Sequence, residues 1–464
     1  MSAPDAGQHR REWPPVVATT HGPVRGTHRH GIDVFHAVPY AATPTGRARF
    51  AVPAPPESWT RVRDASIPRP SMAPAPARDR IGDLDLTAIS GPPWCPGDHQ
   101  DYLTVDVWAP TAVPERRPVV VFVHGGGFIG GWGGAAAYDG TSLARHGLIV
   151  VTVNYRLGAA GWLHLPDAPD NRGLLDVLAA LCWVRENIEE FGGDPGRVTV
   201  LGQSAGATIV AALLAIPAAK GLFQRAISQS GNALGAFTPA QAEKVTEALA
   251  AAAGVEATAD GFAAVSDRDL VRAVSELGGL DLTIGEVPDP MLGLSPFAPV
   301  LDPVSIPTQP AESITRGVDL LVGVTTDEAN LYLVPTGRDG DAEAMSRALF
   351  GLGTAALARA NTALGGRTFR YEFAWRSGAF GGALGAAHTV ELPFVFGTTY
   401  LPSLRGPRSL LGVADDLEQV TAAVQRAWVG FIRDGDPGWP PNDMTLPADL
   451  LVEVEAVAVL GGSS

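Results

Sequence analysis

Cysteine is nearly absent from this 464-residue chain, which has two, Cys95 and Cys182. Cys95 falls in a Pro/Gly loop and Cys182 inside an amphipathic helical stretch. This excludes a disulfide scaffold, and the pair reads as reduced thiols of a cytoplasmic protein. Long apolar runs are missing too. No stretch reaches the roughly 18 uninterrupted apolar residues that a membrane span needs, and Met1 to Glu12 has no apolar core of the kind a signal peptide carries. Positive charge is short: 34 Lys and Arg stand against 49 Asp and Glu, a formal net charge of −15. No Lys/Arg stripe offsets that balance, so the footprint required by a phosphate backbone is lacking and nucleic acid is excluded as a partner. No clustered His, Asp or Glu set has ligand spacing, so neither a metal nor an organic cofactor is expected.

What is present is apolar sequence. Hydrophobic residues make up 46% of the chain and charged residues 18%, enough for a large buried core and too apolar for general disorder. Short strands are expected from Val16 onward, followed by a Pro-, Ala- and Gly-rich loop from Pro44 to Pro96, so that 16–96 wraps over something larger. Three continuous β-branched runs, Val119–Val123, Leu148–Val153 and Val198–Leu201, suit strands buried on both faces of a parallel sheet. Between the second and third, Leu174, Leu178, Leu181, Val184 and Ile188 recur at helical spacing from Gly173 to Phe191, and Gly192-Gly193 ends the helix. Strand, helix and strand in alternation give a mostly parallel, doubly wound α/β sheet. Further strands are expected at Val318–Val324 and Phe369–Phe373, a late helix at Leu417–Ile432, and an Ala-rich, helical, cap-like insertion at about 238–290. With no internal repeat and no linker, residues 1–464 are expected to form one domain.

The chemistry starts at Gly202-Gln203-Ser204-Ala205-Gly206, which follows an apolar strand and precedes a helical run from Ala207 to Ile216. Flanking glycines permit the sharp, strained turn that holds a serine oxygen at the top of a sheet, the nucleophile elbow of α/β-hydrolases. Such a motif alone is weak in a chain with 54 glycines; its place between strand and helix raises it. Upstream, His124-Gly125-Gly126-Gly127-Phe128 follows the strand that ends at Val123. Backbone N–H groups of Gly126 and Gly127, with that of Ala205, can converge on a developing oxyanion. The competing readings, a flexible turn or a phosphate loop, fit less well because the spacing matches no Walker pattern. In α/β-hydrolases the chain order is serine, acid, histidine. Nine of the ten histidines precede Ser204, so His388 is the one that can serve as base. Acids just past a strand end favour Asp327 or Glu328, with Asp302 a weaker candidate.

These blocks together resemble the type-B carboxylesterases, the family that includes bacterial p-nitrobenzyl esterases and cholinesterases. The resemblance runs in register from about Val24 to Pro437, through Val38-Pro39-Tyr40-Ala41, Asn154-Tyr155-Arg156-Leu157-Gly158, Phe191-Gly192-Gly193-Asp194-Pro195, Gln229-Ser230-Gly231, Asp327-Glu328 and His388 to Phe396. It implies the α/β-hydrolase fold with helical cap insertions. It also implies Glu328 as the acid, Ser230 beside the acid, and a structural ion pair between Arg156 and Asp176. Departures from the family pattern carry information. Gln203 replaces a glutamate whose charge favours cationic substrates, which implies uncharged esters over choline esters. Tyr102 replaces a disulfide cysteine. Gln100 replaces a glutamate expected to pair with Arg49, which implies that this bridge is lost. The segment between Glu328 and His388 is short, which implies a reduced cap or gorge wall.

The expected reaction is hydrolysis of a small carboxylic ester through an acyl-enzyme, with Ser204 as nucleophile, His388 as base and Glu328 as its orienting acid. Water is the second substrate. A lipase acting on longer acyl chains is the alternative within the enzymes, and a catalytically silent interaction protein of the same fold is the alternative outside them; the filled triad positions weigh against the latter. The acyl pocket is expected near Asn232 to Phe237 and around Phe297.

Overall fold

The structure, a computed structural model, describes residues 14–69, 71–97, 101–111, 115–415, 417–441 and the backbone of 458–460. Ten strands make the central sheet: β1 (Thr27–Arg29), β2 (Ile32–Pro39), β3 (Thr104–Pro110), β4 (Arg117–Val123), β5 (Ile149–Val153), β6 (Gly193–Gln203), β7 (Arg225–Gln229), β8 (Asp319–Thr325), β9 (Thr368–Phe373) and β10 (Ala458–Leu460). Their spatial order is β10-β9-β8-β7-β6-β4-β5-β3-β2-β1. Strands β4 to β10 run parallel to one another, and β1 to β3 extend the sheet antiparallel.

The β-branched runs occupy the middle of this sheet because both of their faces are covered. Val119, Val121 and Val123 point into one core with Leu174, Val177 and Leu181 of helix α1 (Arg172–Asn187) and Ile209 and Leu213 of helix α2 (Ala205–Ala215). Val120 and Phe122, one residue out of phase, point into the other core. There they meet Leu201, Ile227 and Leu321 together with Trp428 and Phe431 of the late helix Leu417–Asp434. Every residue from Val119 to Val123 is at most 1% exposed. Period-two alternation between two dry cores is why the run reads as uniformly apolar.

Within 238–290, helix α3 (Pro239–Ala253) starts at a Thr238/Gln241 capping box, the short helix Ala259–Ala263 follows, and α4 (Asp267–Glu276) comes third. The expected helical character ends there. Residues 277–290 run as turns and loop, because Gly278, Gly279, Pro288 and Pro290 break the pattern and Gly279 takes φ +77°.

Arg49 has a partner after all. Its Nη1 lies 2.7 Å from Asp267 Oδ1 at the start of α4, and its Nη2 donates to the carbonyls of Phe262, Ala263 and Val265. The contact fastens the 238–290 segment to the N-terminal region, and it needs no acid at position 100. Asp267→Asn is expected to cost about 1 kcal/mol, since the carboxylate is partly exposed and three carbonyls still hold the guanidinium. Urea denaturation and amide exchange over 262–276 check this; unchanged exchange would mean that the pair does not fasten the segment. Arg156 and Asp176, both fully buried, form a two-point ion pair at 2.7 and 2.8 Å, closing the bend after β5 onto α1.

Candidate active site

Ser204 sits between β6 and α2 with φ +56° and ψ −123°, a backbone state that non-glycine residues rarely adopt. Its N–H donates to Gln229 O at 2.8 Å. The flanking glycines are sterically required. A Cβ on Gly202 would lie 2.3 Å from Gly206 O, and one on Gly206 would lie 2.0 Å from Val123 O. The turn packs against β4, and no side chain fits between them.

The loop leaving β4 lies over this turn. Gly126 and Gly127 take φ +117° and +62°, and a Cβ at Gly126 would strike Gly130 O at 2.2 Å. The loop is pinned from two sides. Ser295 Oγ donates to Gly127 O at 2.5 Å, and His124 Nδ1 faces Gly125 O at 2.8 Å. Burial pulls the His124 imidazole down to about 4, so it is neutral at pH 7 and can donate from Nδ1. Gly126, Gly127 and Ala205 all border one cleft, and none of their N–H groups donates to another described residue. Three free N–H groups around one space are what a developing oxyanion needs.

His388 borders the same cleft, and Glu328 lies behind it. His388 Nδ1 is 2.5 Å from Glu328 Oε2, and both residues are about 1% exposed. The other carboxylate oxygen accepts from Thr325 N at 2.8 Å, and His388 N donates to Glu328 O at 3.3 Å. The imidazole stacks on Phe350, with centroids 4.3 Å apart and planes at 20°. Its Nε2 faces Gln203 Nε2 at 3.3 Å. With Nδ1–H given to Glu328, Nε2 carries the lone pair and the Gln203 amide donates to it. Ser204 Oγ makes no hydrogen bond to a described residue in this arrangement, a looseness common in unliganded sites.

Of the other acid candidates, Asp327 pairs with Arg376 at 2.7 Å and accepts from Ala386 N. Asp302 binds Asn171 and its own loop. Neither reaches His388. Ser230 is fully buried at φ +53°, borders the cleft, and its hydroxyl has no partner among the described residues.

The cleft has a volume of about 990 Å³, its open mouth included. The expected acyl wall is only partly right. Asn232 borders the cleft, but Ala233 to Phe237 and Phe297 do not; Met291, Leu294 and Ser295 stand there instead. Phe297 turns inward and is 1% exposed. The short segment between Glu328 and His388 contributes real wall, in Leu331, Tyr332, Leu349 and Phe350. Sequence reading missed these, and it missed Glu391. That carboxyl is fully buried, accepts from Gln229 Nε2 at 3.1 Å, and has its second oxygen unpartnered among the described residues. Burial, and then the charge of Glu328, push it up to about 8. Neither cysteine is in a disulfide among the described residues; Cys95 is exposed and Cys182 partly so. Among the described residues no helix is long and apolar enough to cross a membrane, and no group of three or more His, Cys, Asp or Glu could hold a metal ion.

A parallel-centred sheet with a strained serine between strand and helix, a buried His–Glu pair and free amides above it defines a serine hydrolase of the α/β-hydrolase fold. A family model described as the carboxylesterase family matches residues 13–339. The chain is 37% identical to the para-nitrobenzyl esterase of Bacillus subtilis (strain 168), with 95% of each chain covered. It is 33% identical to the phenmedipham hydrolase of Pseudarthrobacter oxydans, with 96% of each covered. A solved PNB esterase structure superposes with a TM-score of 0.79 at 34% identity, over 92% of this chain and 93% of that one. The chain belongs to the carboxylesterase family, whose members act on small esters with water. It is a serine carboxylesterase, an enzyme that hydrolyses carboxylic esters.

Proposed function

We propose that Ser204 is the nucleophile, His388 the general base and Glu328 the acid that orients it, with Gly126, Gly127 and Ala205 as the oxyanion hole. The observation that carries this reading is the buried 2.5 Å contact of His388 with Glu328 beside the cleft where Ser204 and three unengaged amides converge. Ester binding brings the carbonyl oxygen under the amides, and Ser204 Oγ attacks its carbon while His388 Nε2 takes the proton. Glu328 keeps Nδ1 protonated and stabilises the imidazolium. The alcohol leaves with the proton from Nε2, and water repeats the sequence on the acyl-serine. For Ser204 to reach Nε2, the Gln203 amide must give way, which makes Gln203 a positioning residue. Ser230, with its free buried hydroxyl, is a second one.

Among the described residues no Asp or Glu borders the cleft, so uncharged esters are preferred to cationic ones. The enzyme acts as a single domain with 238–290 as its cap-like insertion. It works in the cytoplasm and associates with neither nucleic acid nor membrane. A fluorophosphonate probe is expected to label the protein once, on the peptide that carries Ser204. Labelling elsewhere, or none, would refute the nucleophile assignment. A series of p-nitrophenyl esters of increasing acyl length separates the esterase from the lipase reading: activity should fall once the acyl chain outgrows the cleft.

A further inference from the structure

The cleft contains one charged group that the ester chemistry does not use. Arg78 lies in the loop-rich N-terminal region and borders the cleft beside Gly126, Gly131, Leu294 and Tyr332. Its stem rests on the oxyanion loop. A Cβ at Gly130 would lie 2.7 Å from Arg78 Cγ, and Gly130 N donates to Gly126 O at 3.1 Å. The base of this side chain is therefore held beside the loop whose amides would hold the ester carbonyl.

The three arginines buried from solvent among the described residues are satisfied. Arg156 has Asp176, Arg49 has Asp267 and three carbonyls, and Arg172, with no ion pair among the described residues, donates to four carbonyls. Arg78 makes one hydrogen bond among the described residues, from Nη2 to Leu294 O at a long 3.4 Å, and no ion pair. Burial pulls its pKa down and no carboxylate offsets that, yet an arginine stays protonated under such a shift. Four of its five N–H donors are thus without an acceptor among the described residues, at the edge of a substrate cleft that no described Asp or Glu borders.

Building on the esterase reading, we propose that Arg78 binds a carboxylate carried on the substrate away from the scissile bond, so that half-esters of dicarboxylic acids are preferred to wholly uncharged esters of equal length. The planar fork of a guanidinium matches a carboxylate at two points, and the ligand supplies the counter-charge that the protein withholds. The preference is local in origin: a chain of net charge −15 does not attract anions from a distance.

The test compares monoethyl adipate, ionised at neutral pH, with diethyl adipate, using the intact protein and its Arg78→Met and Arg78→Lys variants. The wild-type enzyme should have the lower KM for the half-ester. Arg78→Met should raise that KM by about 10- to 100-fold, the range for a charge-assisted contact. The kcat and the KM for the diester should change by no more than about threefold, because the contact is present before and during reaction. Arg78→Lys should recover part of the loss. The butyrate ester of γ-hydroxybutyrate, which carries its carboxylate on the alcohol side, runs as a second arm; the arm that responds tells which side of the ester faces Arg78. Equal losses on charged and neutral esters would assign Arg78 a structural role and overturn the proposal, as would an unchanged half-ester KM in both arms. Failure of the wild-type enzyme to hydrolyse either adipate or p-nitrophenyl butyrate would instead overturn the esterase reading beneath it.

Discussion

Ser204→Ala is expected to lower kcat for p-nitrophenyl butyrate by about a millionfold, the scale on which serine hydrolases lose activity when the nucleophile goes. What remains is the contribution of the free amides of Gly126, Gly127 and Ala205 and of substrate binding, about 10³- to 10⁴-fold over water. The fold should persist, because the elbow is held through backbone, by Ser204 N to Gln229 O and Thr208 N to Ser204 O, and by glycine contacts that the substitution leaves untouched. The strain at φ +56° provides an internal control. Alanine relieves none of it, whereas glycine does, so Ser204→Gly should be equally inactive yet more stable than Ser204→Ala by about 1 kcal/mol. Activity retained in both variants would remove Ser204 from the mechanism. Activity lost together with the melting transition would leave labelling of the wild-type protein as the deciding measurement.

That serine was legible in the sequence for a physical reason. The elbow depends on local geometry, so strand, glycine, serine and glycine must be adjacent in the chain. His388 was legible by elimination, since chain order left one histidine after Ser204. The sheet centre was legible because strands dry on both faces leave an unbroken β-branched run, as Val119–Val123 does. Asp327 and Glu328 could not be separated by sequence position alone, being adjacent residues at the end of one strand. The resemblance favoured Glu328, and the folded chain has Glu328 on the imidazole and Asp327 on Arg376. Groups delivered by aperiodic segments were invisible: Arg78 comes from the Pro-rich loop, and Phe350 from a helical turn of no distinctive pattern. The helical reading of 277–290 failed because composition was weighed over the glycines and prolines that interrupt it. The lost partner of Arg49 was replaced from α4, more than two hundred positions along the chain, where no local rule looks.

Glu391 stood in plain view in the His388 to Phe396 block, but its environment is a tertiary property. Held at about 8 by burial and by Glu328, it is neutral at pH 7. In the unfolded chain it ionises near its ordinary value of 4.5. Between those two values the native state keeps a proton that the unfolded state releases, so stability falls as pH rises through this window, by up to about 5 kcal/mol over its full width. His124 acts in the opposite direction. Its native value of about 4 lies below the ordinary 6.5, so stability rises with pH between them, by about 3 kcal/mol. The two slopes offset each other from about pH 4.5 to 6.5 and leave a decline of about 2 kcal/mol from there to pH 8. Glu391→Gln keeps the side chain neutral at every pH and removes one slope only. Whatever constant offset the new amide brings, urea denaturation at pH 5, 6.5 and 8 should show the variant gaining on the wild type as pH rises. Parallel curves would mean that Glu391 titrates as an ordinary carboxylate.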